Sequence, residues 1–554
     1  MREDSASKKN DSVFLVQGSI LAAASIISRV VGLIYRLPMT AIIGKRGNDF
    51  YGTAYELYNI LLIISSFSIP LAVSKLVASR MSQGQSKNAL RVLRGSMVFA
   101  SVSGGLATII VFFGADYFTG TLLKTPLSAI ALRVLAPVLF IVAIVGVLRG
   151  FFQGLNTMIP SAISQIAEQI VNAIVSVVAA YLLFDQGRKI GAILGDSEGY
   201  AAAYGAAGGT LGTAMGAIAA LFVMTFVYLI YRRLFRKKLL RDHSRHIESY
   251  RSLIQVLVMT IIPVLLSATL YNISGIIDQG IFKNVAHLQG YDPRQISEWW
   301  GVFTGQYKVV TNVPISIAYS IGASSVPSLT MAFHSGKMRS VRRQINLATR
   351  FIMLISFPCA VGIGVLGGPI MMLLFADADV SSRMMMVLGA SSVVFYSLST
   401  LTNGLLQGID RMRMPVINAA VALVIQTIFL YGALWIFHLH IYAVVLANTF
   451  YAFLVCVLNG WAVYRYSGAT QDIRRTYLIP LEASAIMGVL VFCIYRLIYV
   501  IAKSNFIASL FGMAAGGVAY FVLILMMNGI TEEELRMMPM GTVFIRIARR
   551  MRLL

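Results

Sequence analysis

The chain has 554 residues, of which 57% are hydrophobic and only 12% charged, with a formal net charge of +23 and a mean hydropathy of +0.76. Soluble domains carry about 25% charged residues, so this composition excludes a soluble enzyme and predicts an all-α polytopic membrane protein. The cations are spread over short connections rather than gathered into one patch, which argues against nucleic acid as a partner.

Residues 1–12 read as a cytoplasmic tail. Apolar runs of about 20 residues then predict spans with cores at 13–37, 54–79, 93–115, 127–148, 160–184 and 201–231, an N-terminal six-helix bundle covering 13–231. A basic connection, 232–251, leads to cores at 252–281, 299–333, 344–376, 384–408, 415–437 and 441–464, a C-terminal bundle covering 252–464. Two extra cores, 477–501 and 506–529, fall in segment 465–529, before a basic cytoplasmic tail at 530–554. The total is fourteen spans. With both termini inside, the cytoplasmic connections collect 30 Lys and Arg and the opposite side nine. That asymmetry predicts an N-in, C-in orientation, because cytoplasmic loops carry the cationic excess. The basic stretches 232–251 and 530–554 are also expected to meet anionic membrane lipids.

The first span holds Ser28-Arg29-Val-Val-Gly32 and then Arg36. Seven residues are two helical turns, so Arg29 and Arg36 share one face, with Gly32 between them. An arginine near the bilayer centre costs about 2.5–3.5 kcal/mol on insertion scales, so this face should meet water or an anion. The other cations inside spans or at their edges are Lys75, Arg133, Lys308, Arg350 and Arg496, against the acids Glu56, Glu168, Asp278 and Glu482. A central cavity lined by Arg29, Arg36, Lys75 and Lys308 would suit an anionic substrate, since arginine grips phosphate bidentately and lysine acts as a point charge. The bland alternative is that these cations pair with Glu56, Asp278 or backbone carbonyls.

An internal repeat relates the halves. Gly150-Phe-Phe-Gln-Gly154-Leu-Asn156 returns as Gly404-Leu-Leu-Gln-Gly408-Ile-Asp410, followed by Pro160 and Pro415 respectively. Gly84 and Gly336 correspond, each leading into a cationic stretch. An even number of spans per copy makes two parallel repeats about an axis along the membrane normal. Pro70, Pro137, Pro263, Pro314, Pro327 and Pro358 should bend or interrupt their spans. Gly208, Gly212 and Gly216, four apart, predict a tightly packed helix seam.

No phosphate-binding loop, dinucleotide fingerprint or zinc-spaced His/Cys cluster is present, so no metal or cofactor site is expected. Cys359, Cys456 and Cys493 sit within apolar runs as small hydrophobic residues. The class expected is a transporter.

These residues resemble the lipid II flippases of the MurJ and SpoVB type, in the multidrug/oligosaccharidyl-lipid/polysaccharide exporter superfamily. Ser28 to Gly32 is similar to that family's first-helix motif, and Val326-Pro-Ser-Leu329 with Ser335-Gly336 to the end of its eighth helix. Phe357 to Pro369 is similar to the ninth helix throughout, and Arg411 to Pro415 to the entry of the eleventh. The resemblance implies flipping of an undecaprenyl-diphosphate-linked peptidoglycan precursor to the outer leaflet of the bacterial cell membrane by alternating access, with cell-wall synthesis enzymes as further partners. It implies a lipid-tail groove in 465–529. Arg29 matches the family pattern directly; the second family arginine is displaced by one to Arg36, its following aspartate is missing, and Lys308 lies only near the family's eighth-helix arginine. These departures suggest a SpoVB-like branch and leave a related lipid-linked oligosaccharide as an alternative substrate. Membrane potential is the expected driving force. A cation-coupled multidrug antiporter, with Glu56, Glu168 or Asp278 as its ion site, and a non-transporting scaffold are the rival classes.

Overall fold

The computed structural model describes residues 2–63, 69–240, 242 and 247–530. Some side chains of the first, seventh and tenth helices, that of Arg29 among them, are outside the description, as are the tail 531–554 and Arg241, His243, Arg245 and His246 of the basic connection. The described chain is helical, without a strand, and divides into two compact units, Met1–Gly305 and Gln306–Leu554.

The first unit contains α1 (Arg2–Leu62), α2 (Ile69–Ser82), α3 (Ser86–Asp116), α4 (Ser128–Gly154), α5 (Ile159–Leu194), α6 (Ser197–Leu240), α7 (Tyr250–Asn272), α8 (Ser274–Leu288) and α9 (Pro293–Val302). The second contains α10 (Lys308–His334), α11 (Met338–Phe375), α12 (Val380–Gly389), α13 (Ser392–Gly408), α14 (Arg413–Trp435), α15 (His440–Ser467), α16 (Ile479–Ala502) and α17 (Asn505–Met526). Among the described residues nine helices are long and apolar enough to cross a membrane, or ten if α12 and α13, bent by 44° at their junction, form one span. On α3, Val98, Val102, Leu106, Ile109 and Phe113 are all exposed, Phe113 by 78%. Their helical spacing makes a continuous apolar stripe, which is a face built for lipid.

Small residues decide how closely helices approach. On α6, a Cβ at Gly208, Gly212 or Gly216 would strike α5 at Ala179, Ser176 and Glu168 respectively, the last contact falling 2.6 Å from the Glu168 carbonyl. The glycine stripe is therefore the α5–α6 seam, as its spacing predicts. The two copies of the repeat do the same work within their own units. A Cβ at Gly150 or Gly154 would sit 2.6 and 2.7 Å from carbonyl oxygens of Pro70 and Ser74, so those glycines let α4 meet α2. Gly404 and Gly408 play that part for α13 against Gly322 and Leu329 of α10. The turns that follow both hold a left-handed residue, Asn156 at φ 59° and Asp410 at φ 57°, a conformation that Asn and Asp tolerate better than most. Gly84 and Gly336, at φ 73° and 69°, turn α2 into α3 and α10 into α11.

The prolines act less uniformly than their positions predict. Pro70 lies in the first turn of α2, where its missing N–H leaves no bond unmade. Pro137 rides inside α4. In α11 the backbone departs from helical geometry at Leu366 (φ −99°, ψ 16°), next to the turn that Pro369 obstructs, and not at Pro358.

Candidate functional site

The site grows from a break in α1. At Gly44 the backbone takes φ 68°, ψ −175°, a region open essentially only to glycine. In a straight helix Arg36 and Tyr51 would lie about 22 Å apart at 1.5 Å per residue. Here the Arg36 guanidinium carbon is 5.6 Å from the centre of the Tyr51 ring, so the chain after Gly44 doubles back over the chain before it. Asn48 secures the corner, its side-chain amide donating to the carbonyls of Gly44 (2.8 Å) at the break and of Thr40 (3.3 Å) before it. Tyr51 stacks on Tyr55 with ring centres 5.6 Å apart and Tyr58 lies tilted by 45° against Tyr55 at 5.8 Å, an aromatic ladder beside the half-buried Arg36.

Helix α5 supplies the facing wall. Gln165, Glu168, Gln169, Asn172 and Ser176 recur at helical spacing, an unusual polar stripe for an apolar span. Asn172 donates to the Tyr35 hydroxyl at 3.3 Å and accepts from Ser176 at 2.9 Å, while Ser176 also donates to the Gly209 carbonyl of α6 at 2.8 Å. The Ser28 hydroxyl reaches the Gln165 carbonyl at 3.5 Å. Gly32 earns its place by contact: a Cβ there would lie 2.9 Å from Nε2 of Gln169. Glu168 is held by Arg149 of α4 at 2.7 Å, and Arg149 also donates to Ser164 at 2.9 Å.

Of the residues singled out by sequence, Ser28, Gly32 and Arg36 therefore lie on one α1 face, against α5 and the returning Tyr51. Arg29 is on α1, but its side chain lies outside the described residues. Lys75 is exposed on α2. Glu56 is half-buried beside Gly275 of α8, where a Cβ would fall 3.4 Å from its carboxylate, and Asp278 is buried one turn further along α8. Lys308 is half-buried at the first residue of α10, in the second unit. A reading weighted to charge misses the uncharged half of this site, Tyr35, Tyr51, Gln169 and Asn172. Its signal was the polar spacing on α5.

A family model for polysaccharide biosynthesis proteins matches residues 15–333. The lipid II flippase MurJ of Bacillus subtilis is 26% identical over 499 residues, covering 86% of this chain and 88% of that protein. Stage V sporulation protein B of the same organism is 24% identical over 549 residues, covering 96% and 99%. Among solved structures, an inward-closed lipid II flippase MurJ superposes with a TM-score of 0.63 at 13% identity, covering 91% of this chain and 97% of its own. An inward-facing multidrug resistance transporter of the MATE family, in the MOP superfamily, gives 0.65 at 14%, covering 80% and 95%. The chain belongs to the polysaccharide biosynthesis protein family, and is a multi-pass protein of the bacterial inner membrane on a fold shared with flippases and transporters.

Proposed function

We propose that this protein is a flippase that carries an undecaprenyl-diphosphate-linked peptidoglycan precursor from the inner to the outer leaflet, through fourteen spans oriented N-in and C-in. One observation carries the reading: the first helix holds Arg36 over the Tyr51 ring, next to the residue, Tyr35, that meets Asn172 of α5, in a span where a cation would otherwise be expelled. Such a face replaces the hydration of a diphosphate and its sugars with guanidinium and hydroxyl donors. The names of one curated relative and of one structural neighbour, both lipid II flippases, support this substrate class. Alternating access releases the head group outward, and the potential returns the emptied, positively charged face, each charge crossing 100 mV being worth about 2.3 kcal/mol.

The antiporter reading leans on a MATE neighbour, but one of its three candidate carboxylates, Glu168, is already bonded to Arg149. The test is rescue of bacterial cells depleted of their lipid II flippase. Wild type should restore growth and Arg36→Ala should not, at equal membrane abundance. Failure of wild type to rescue would move the substrate to another polyprenyl-linked glycan.

A further inference from the structure

A second collection of cations lies at the other side of the Gly44 corner, entirely within the first unit. A cavity of about 160 Å³ opens there, with Arg46, Lys124, Lys283, His287 and Arg294 on its wall and Asp49 as its single carboxylate. Phe50, Leu127 and Ile296 form an apolar flank. At about 30 Å³ per water, the space holds roughly five waters or one partly hydrated phosphoryl group.

The floor is built and dry. Lys283 and Asp49 are 1% and 0% exposed, and the ammonium donates to Asp49 Oδ1 at 2.5 Å and to Thr125 Oγ1 at 2.6 Å. Ser297 donates to the other carboxylate oxygen at 2.6 Å and Thr53 to Oδ1 at 3.1 Å. Asp49 is thus neutralised from below and contributes little negative field to the cavity. Arg294 is engaged by Glu198 at 2.5 Å and Glu298 at 3.2 Å, neither of which lines the space. Arg46 reaches Asp196 only at 3.4 Å, and its Nε–H is buried without an acceptor. Lys124, exposed at the rim in a left-handed backbone (φ 52°), adds a cation. The sign of the field shows at His287: burial and then the charges of Lys124 and Lys283 push its imidazole below the ordinary value of 6.5.

We infer that this cavity is an anion site for a phosphoryl group, presented at the face of the first unit formed by the Gly44 corner, the α3–α4 turn and the α8–α9 corner. Convergent arginine, lysine and imidazole over an apolar flank are the chemistry that recognises such a group when one side of it is bonded to something greasy. The ligand is either a phospholipid head group or a free phosphate, and it is distinct from whatever the α1 arginine face carries.

The test uses the full chain in phosphatidylcholine nanodiscs, titrated calorimetrically with inorganic phosphate and pyrophosphate, and its thermal midpoint compared with that in discs containing phosphatidic acid. Wild type should bind pyrophosphate or be stabilised by phosphatidic acid. Lys124→Gln and His287→Gln, each altering a group outside the buried pair, should weaken that response at least fivefold. Lys189→Gln, on an exposed lysine paired with Asp185, should leave it unchanged, and a response lost in Arg36→Ala but kept in the Lys124 and His287 variants would place the anion on the α1 face and overturn this site. A response to soluble anions assigns free phosphate, and a response to the lipid alone assigns a head group. No response to either, or an equal response in the Lys124 and His287 variants, overturns the site.

Discussion

In the proposed flippase, Arg36 is the residue on which the chemistry turns. A hydrogen bond to a charged group contributes about 1.5–3 kcal/mol, so Arg36→Ala should lower flipping by about 10- to 100-fold without loss of folded protein. Arg36→Lys, which keeps the charge but not the planar fork, should fall between. Transport by reconstituted protein checks both. Away from the membrane, Asp196 makes a sharper electrostatic statement. Partial burial would raise its carboxyl, but the Gly199 amide and the Arg46 guanidinium outweigh this and hold it below the usual value of 3.8. A depressed carboxylate stabilises the fold above its unfolded pKa and loses that contribution as pH falls through the folded one. The difference in thermal midpoint between wild type and Asp196→Asn should therefore be constant above pH 5 and shrink below about pH 4. A midpoint scan from pH 3 to 7 reads it.

At the scale of elements, the Gly44 corner and the glycine seams set the geometry. Gly44→Ala forces a Cβ into a glycine-only conformation, a cost of about 1–3 kcal/mol, and should lower both the melting midpoint and transport, because it moves Tyr51 relative to Arg36. Gly212→Val drives a branched side chain into Ser176 of α5, and overpacking of this kind costs about 1–3 kcal/mol or more. Size-exclusion profiles after heating should show the loss. The seam and the repeat were legible in the sequence, since small residues four apart and duplicated glycine turns have few other uses. The corner was not. The sequence places a loop between spans 13–37 and 54–79, whereas helix persists on both sides of Gly44, because a single glycine in a helix-compatible stretch signals no break until Asn48 and Tyr51 fold onto it. The polar wall of α5 was readable but faint, as amides register weakly beside charges. The Asp49–Lys283 pair was invisible, its partners being 234 residues apart with no spacing rule to join them.

The whole molecule combines a composition that requires a membrane with a family and fold that other transporters share. If the emptied cationic face is drawn back by the potential, transport should slow severalfold when valinomycin collapses the voltage in proteoliposomes, and Arg36→Ala should blunt that sensitivity. The central claim, that a cationic face on α1 moves a polyprenyl diphosphate, is tested most directly by translocation of fluorescent lipid II in proteoliposomes holding wild type or Arg36→Ala protein. The account predicts transfer to the opposite leaflet by wild type and a loss of about tenfold or more in the variant. Equal transfer by both proteins would contradict it.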